Sequence, residues 1–207
     1  VTTTVVDEAA AVGREDGFRR RLLDGLAASI EERGYRETTV ADIVRHARTS
    51  KRTFYDQFGT KEDCFAELLM ANNDQLVNTI RDAVDPRAPW PQQVRQAVIA
   101  YVHSIEVQPA LTLSWIRELP ALGENARPTL RRGFGRLATM IVDLTSNEAF
   151  RDAGIAPLSH GAAVILVGGL RELTAQTVED GEPVAGIIEP ALAASLALLG
   201  PTPEVRF

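Results

Sequence analysis

The chain has a single cysteine, Cys64, in 207 residues. One thiol excludes a disulfide framework within the chain and fits a reducing compartment, so the sequence is read as cytoplasmic. No run of 18 apolar residues is free of charges and helix breakers, and no membrane span is expected. The longest apolar stretch, 162–170, is too short and holds Gly168 and Gly169. The N-terminal stretch VTTTVVDEAAAVGRED lacks a basic segment followed by an apolar one, so no signal peptide is expected. His46, His103 and His160 are far apart and show no metal-ligand spacing, and Cys64 has no C-x-x-C partner. There is no nucleophile elbow, no H-E-x-x-H, no phosphate loop and no dinucleotide-binding fingerprint. Gly168-Gly169 follows no strand pattern and is read as permitting close helix packing. An enzyme would need a cluster of titratable residues in a cleft, and none can be named here. No enzymatic activity, cofactor or metal is expected.

What the chain does have is helical periodicity. Hydrophobic residues make up 45% of it, enough for a real core. Phe18, Leu22, Leu26 and Ile30 recur every four residues, which predicts an amphipathic helix from about Asp16, ended by Gly34 at C′. After Thr60, which caps again, Phe65, Leu68, Leu69, Leu76, Ile80 and Val84 mark a helix of roughly 36 Å, long enough to belong to two domains. DPRAPWP, residues 85–91, breaks the pattern with three prolines. Helical stripes resume over 94–105, 110–119, 130–144, 158–178 and 184–199. No alternating strand pattern and no internal repeat is present. The expected fold is all-α, with about nine helices.

Residues 38–65, TTVADIVRHARTSKRTFYDQFGTKEDCF, carry the chemistry. Thr39 and Asp42 have capping-box spacing, and Val40, Ile43, Val44 and Ala47 then share one helical face. Arg48-Thr49-Ser50 interrupts. Ser50 can cap a second short helix, Lys51 to Gln57, whose apolar positions are Phe54 and Phe58. Lys51, Arg52, Thr53, Tyr55 and Asp56 are left facing outward. A short helix with a basic first turn, held on a packed partner, places side chains on base edges in a major groove.

Net charge is −6, but it is uneven. Residues 14–62 hold 11 Lys/Arg against 9 Asp/Glu, whereas 63–207 hold 11 against 17. Local charge governs phosphate contact, because screening acts within about 10 Å at ordinary salt.

These residues resemble the DNA-binding domain of tetracycline-repressor (TetR) family regulators. The matching features are Gly34-Tyr35 closing the first helix, Thr38-Thr39-Val40 opening the second and Ser50 opening the third. Thr53-Phe54-Tyr55 and Phe58 follow, and Lys61-Glu62 opens the fourth. The resemblance covers about 50 residues; the remainder matches only in being helical. It implies a tail over 1–14, a helix-turn-helix domain over 15–62, and a helical ligand-binding and dimerisation domain over 63–207. The implied partners are a double-stranded DNA operator, a small-molecule effector and a second copy of the chain, with no membrane. The DNA-contact set is then Thr39, Arg48, Ser50, Lys51, Arg52, Thr53, Tyr55 and Lys61. Phe54 and Phe58 are read as core.

One departure stands out. The family usually places Gly where Arg48 stands. Either Arg48 accepts a left-handed conformation at a cost of roughly 1 kcal/mol, or the turn differs. Beyond the proline break, Tyr101, Ser114, Trp115, Phe134, Met140 and Arg171 are the ligand-pocket candidates, with His103 a weaker one; ordinary core is the competing reading for the apolar members. The last two helices resemble the family's dimer bundle, with Leu166, Leu170, Leu173, Leu192, Leu196 and Leu199 as stripes facing core and partner. The expected function is a DNA-binding regulator, a repressor released by a small apolar or amphipathic molecule. The alternative is a regulator without an inducer, controlled by a protein partner, whose mark would be a C-terminal domain without a cavity. A ligand-binding dimer that has lost DNA binding is a third option, and Ser50, Lys51, Arg52 and Tyr55 speak against it.

Overall fold

A computed structural model describes the backbone of residues 2–200 and the side chains of residues 17–200, except that of Asn125. The helix expected from about Asp16 begins at Thr2, so the stretch expected as a tail is helical in its backbone from Thr2 on, and its side chains lie outside those described. The described residues form ten α-helices and no strand: α1 (Thr2–Glu37), α2 (Val40–His46), α3 (Lys51–Gln57), α4 (Lys61–Ala83), α5 (Trp90–Val107), α6 (Pro109–Ala121), α7 (Arg127–Leu144), α8 (Glu148–Asp152), α9 (His160–Glu179) and α10 (Ile188–Leu199). Short 3₁₀ turns, Gly123–Ala126 and Val184–Ile187, precede α7 and α10. None of these helices is long and apolar enough to cross a membrane.

Chain contacts divide the molecule into two units, Val1–Ala71 and Asn72–Phe207. The division falls inside α4 rather than at its start. The reason is packing: Cys64, Phe65, Leu68 and Leu69, on the first turns of α4, are buried in the core of unit 1. Burial also pushes the Cys64 thiol up to about 12, with Glu67 adding to it. This thiol behaves as a small apolar residue.

In unit 1, Gly34 leaves helical geometry at φ 81°, which breaks α1 where the sequence placed its end. Tyr35 then stacks on Phe65 at 3.8 Å between ring centroids. Gly25 lets α2 approach α1 closely: a Cβ there would lie 2.6 Å from the Ile43 carbonyl oxygen.

Unit 2 is built from three apolar clusters. One gathers Val94, Ala138, Phe150, Leu158, Ala163, Leu166 and Leu199; a second holds Val77, Ile80, Ala100 and Met140; a third Val98, Val102, Ile187 and Ala191. The proline break between α4 and α5 is fixed by buried Gln93. Its Nε2 donates to the carbonyls of Pro86 and Ala88 at 3.1 and 2.7 Å, and its Oε1 accepts from Asn147 at 2.6 Å. Helix α8 had no expectation in the sequence. Asn147 caps it, accepting from the Ala149 N–H at 3.0 Å, and Phe150 is buried beneath it. At five residues it is too short to show a periodicity.

Leu170, Leu173, Leu192 and Leu196 all pack against clusters of their own unit, as do buried Leu166 and Leu199. They face the core, and Leu170, Leu173, Leu192 and Leu196 remain only half-buried. Gly168 and Gly169 have open space where a Cβ would stand, so they permit no close helix packing within the chain. A helix buries its bulkiest stripe first, and its small residues are left on the opposite face.

Candidate nucleic-acid interface

Helix α3 has seven residues and would not persist alone. Phe54 and Phe58 hold it, with the two rings 5.7 Å apart and both side chains buried. Arg19 of α1 covers this anchor. Its guanidinium lies 4.3 Å from the Phe58 ring centroid, donates to the Gln57 carbonyl at 2.8 Å and pairs with Glu67 of α4. Nothing in the sequence had singled out Arg19, because its partners are 38 and 48 residues away.

Both helix starts are capped as the spacing predicts. The Thr39 backbone N–H donates to Asp42 Oδ2 at 3.0 Å and its hydroxyl to the same oxygen at 2.6 Å, while Asp42 N–H returns a bond to Thr39 Oγ1. These donors hold the Asp42 carboxyl below the usual range. Ser50 Oγ accepts from the Thr53 N–H at 3.1 Å and lies 2.9 Å from Thr53 Oγ1. The caps satisfy one N–H of each first turn, and the others have no partner within their helix.

The turn between them is a Schellman motif with arginine at C′. Arg48 adopts φ 49°, so it accepts the left-handed conformation rather than altering the turn. Thr49 N–H closes on the Val44 carbonyl at 3.0 Å, and Arg48 N–H on that of Arg45.

Charge separates into two groups. Arg33, Arg45 and His46 are drawn to Glu32 and Asp42, and their hydrogen bonds lower Glu32 to about 2. By contrast Arg48, Lys51 and Arg52 are exposed, and among the described residues no carboxylate stands within ion-pair distance of them. Tyr55 is 58% exposed beside them, with its ring set edge-on to Phe54. Three uncompensated cations around one capped helix start form a surface suited to phosphate and base edges.

Lys61 differs from this group. Its Nζ donates to the carbonyls of Tyr35 and Thr38 at 3.2 and 2.8 Å and sits 4.3 Å over the Tyr35 ring. It clasps the end of α1 to the start of α4. Lys61→Ala is therefore expected to lower stability by about 1–3 kcal/mol, since hydrogen bonds to charged groups carry that much and this one is half-buried. Urea denaturation would measure it; a variant as stable as the parent would leave Lys61 to phosphate contact alone.

The pocket candidates of unit 2 are spread over several contacts. Tyr101 Oη lies 2.6 Å from Thr174 Oγ1, and burial pushes its phenol up to about 12, so it stays protonated. Met140 belongs to a cluster that Tyr101 also touches. Ser114 is buried and donates to the Ala110 carbonyl at 2.9 Å. The Trp115 ring occupies the place a Cβ on Gly133 would take, and Phe134 lies 5.2 Å beneath the Arg171 guanidinium. Arg171 donates to the Ile116 carbonyl and leaves Nε buried without a partner. His103 is 72% exposed and turns away from the interior. Among the described residues no group of three or more His, Cys, Asp or Glu could hold a metal ion.

Residues 22–68 match the family described as "Bacterial regulatory proteins, tetR family". The HTH-type transcriptional repressor KstR2 of Mycobacterium tuberculosis is 32% identical over 115 residues, 56% of this chain and 58% of the repressor. The HTH-type transcriptional activator FasR of Mycolicibacterium smegmatis is 30% identical over 91 residues, 44% of this chain and 42% of the activator. The chain thus spans about half the length of these curated relatives. Among solved structures, the transcriptional regulator FadR of Bacillus subtilis in complex with stearoyl-CoA is similar with a TM-score of 0.72, over 87% of this chain and 97% of that one, at 17% identity. That likeness is one of fold.

Proposed function

We infer that this chain, a member of the tetR family of bacterial regulatory proteins through its DNA-binding segment at residues 22–68, is a dimeric transcriptional repressor binding a palindromic operator and released by a small apolar or amphipathic molecule. The observation that carries the DNA half of this reading is the group of three unpaired cations, Arg48, Lys51 and Arg52, around the capped start of α3. Arg52 and Lys51 suit guanine edges. Thr39, Ser50, Thr53 and Tyr55 suit phosphate, and Arg48 adds charge at the turn. Half-sites about 34 Å apart require two copies of α3.

Support for the ligand half is the fold shared with a regulator that was solved with stearoyl-CoA. Tyr101, Ser114, Trp115, Phe134, Met140 and Arg171 are the side chains proposed to meet an effector in unit 2. Arg171, with an unpartnered buried Nε, is the polar group most in need of one. Release requires the effector to favour the form that does not bind DNA. By linkage the operator then weakens effector binding equally, by about 1–3 kcal/mol. Helix α4 runs through both units and gives this coupling a continuous backbone route.

The test is a mobility-shift series against the operator. Arg52→Ala is expected to weaken specific binding by about 1–3 kcal/mol, and Arg48→Gly to keep the turn while reducing the salt slope by about one. Unchanged affinity and salt slope in both would remove this face from the operator.

A further inference from the structure

Unit 2 is acidic: residues 72–207 hold 11 arginines, no lysine and 15 Asp/Glu. Four of those arginines nonetheless line one cleft of about 470 Å³, formed by the second part of α4 and by α7. They are Arg81, Arg131, Arg132 and Arg136, all exposed, and Asp74 is the only carboxylate in the lining. Helical spacing produces this. Asp74, Val77, Asn78 and Arg81 share one face of α4, while Arg132, Gly135, Arg136 and Thr139 share one face of α7.

Two ion pairs cross the cleft. Arg136 pairs with Asp74, and Arg81 Nη2 meets Asp143 Oδ2 at 2.8 Å. On each helix the paired residues are seven positions apart, so the bridges lie about 10 Å apart along the axes. Arg131 and Arg132 have no carboxylate within ion-pair distance among the described residues. A Cβ on Gly135 would meet nothing within 4 Å, so the missing side chain leaves the cleft open. An ordinary solvated helix face would balance its own charges at i,i+4 spacing. Helix α7 instead carries four arginines and one carboxylate.

We propose that this cleft is an anion site for the diphosphate group of a small molecule, held by the forks of Arg131 and Arg132 with Arg136 beside them. Guanidinium groups bind phosphate oxygens in pairs, and two uncompensated forks match a dianion. The volume falls within the usual range for small-molecule sites. This site goes beyond the operator reading and uses none of the side chains assigned to it or to the effector.

Calorimetric titrations with inorganic pyrophosphate, ADP and adenosine at fixed ionic strength would test it. Pyrophosphate, ADP or both should bind, and adenosine should not. The double variant Arg131→Ala/Arg132→Ala should bind at least about tenfold more weakly. Gly135→Glu, which places a carboxylate in the open space, should abolish binding. Arg131 and Arg132 are exposed and a side chain at Gly135 would enter open space, so unchanged helical content and melting would show that the fold is intact. Pyrophosphate binding as tightly as ADP would assign the site to free diphosphate; tighter ADP would assign it to a phosphorylated organic head. No binding by either compound, or equal affinity in the variants, would overturn the proposal. It would equally be overturned if the double variant lost operator affinity yet kept diphosphate binding, because the cleft would then serve DNA. Loss of operator binding in Arg52→Ala with diphosphate binding intact would show the two sites to be separate.

Discussion

Gly25→Ala is expected to destabilise unit 1 and abolish operator binding, although alanine is the better helix former. In an exposed helix the change would gain up to about 1 kcal/mol. Here the new methyl would stand 2.6 Å from the Ile43 carbonyl oxygen, 3.0 Å from the Ala47 nitrogen and 3.2 Å from the Ala47 Cβ. Two of these atoms are backbone, so no rotamer change relieves the contact. The whole of α2 must move away from α1. Overpacking of this kind costs about 1–3 kcal/mol, enough to outweigh the propensity gain. The displacement reaches the DNA face, because the Schellman turn at Arg48 links α2 directly to α3. Gly17→Ala is the control. It lies on the same helix with nothing within 4 Å, and should stabilise by up to about 1 kcal/mol. Thermal melts and operator titrations of the two variants measure both effects. If Gly25→Ala melted higher than the parent, the close approach of α1 and α2 would be wrong.

The second large effect concerns assembly. On α9, Gly161, Ile165, Gly168 and Gly169 fall on one face, and Ile165 is 69% exposed. On α10 the exposed positions Ala193, Ala194, Ala197 and Leu198 are all apolar, and Glu189 is that helix's one charged residue. We propose that a second copy would cover this open face of small residues, Ile165 and Leu198. Ile165→Glu/Leu198→Glu should leave each chain folded, since both side chains already meet water. It should dissociate the dimer, because burying each unpaired carboxylate costs several kcal/mol. The dimer dissociation constant would rise by more than about a thousandfold. Light scattering would show monomers, and operator affinity would fall with it. Leu170→Glu and Leu196→Glu are poor substitutes, as both leucines pack against their own core and would unfold the unit. A double variant that stayed dimeric would place the interface elsewhere.

The sequence by itself determined what depends on neighbours a few residues away. Capping at Thr39 and Ser50, the break at Gly34, the proline interruption after α4 and the burial of Phe54 and Phe58 follow from spacings of three or four residues. Local hydrogen bonds and helical periodicity leave such positions little choice. Arg48 was legible as a conflict, and the tertiary structure decided it: the docked α2–α3 pair holds the arginine at positive φ. What the sequence did not disclose depends on partners far along the chain. Lys61 reads as a free cation until the end of α1 is brought beneath it. Arg19 reads as one more exposed charge until α3 and α4 converge on it. Leu166, Leu170, Leu173, Leu192, Leu196 and Leu199 read as a shared stripe until packing turns them to the core and leaves Ile165, Leu198 and several glycines and alanines exposed. Arg81 and Arg132 stand 51 positions apart, and nothing in either stretch announces the other. Pairwise periodicity fixes which face a side chain occupies, but only the folded arrangement of helices fixes what that face meets.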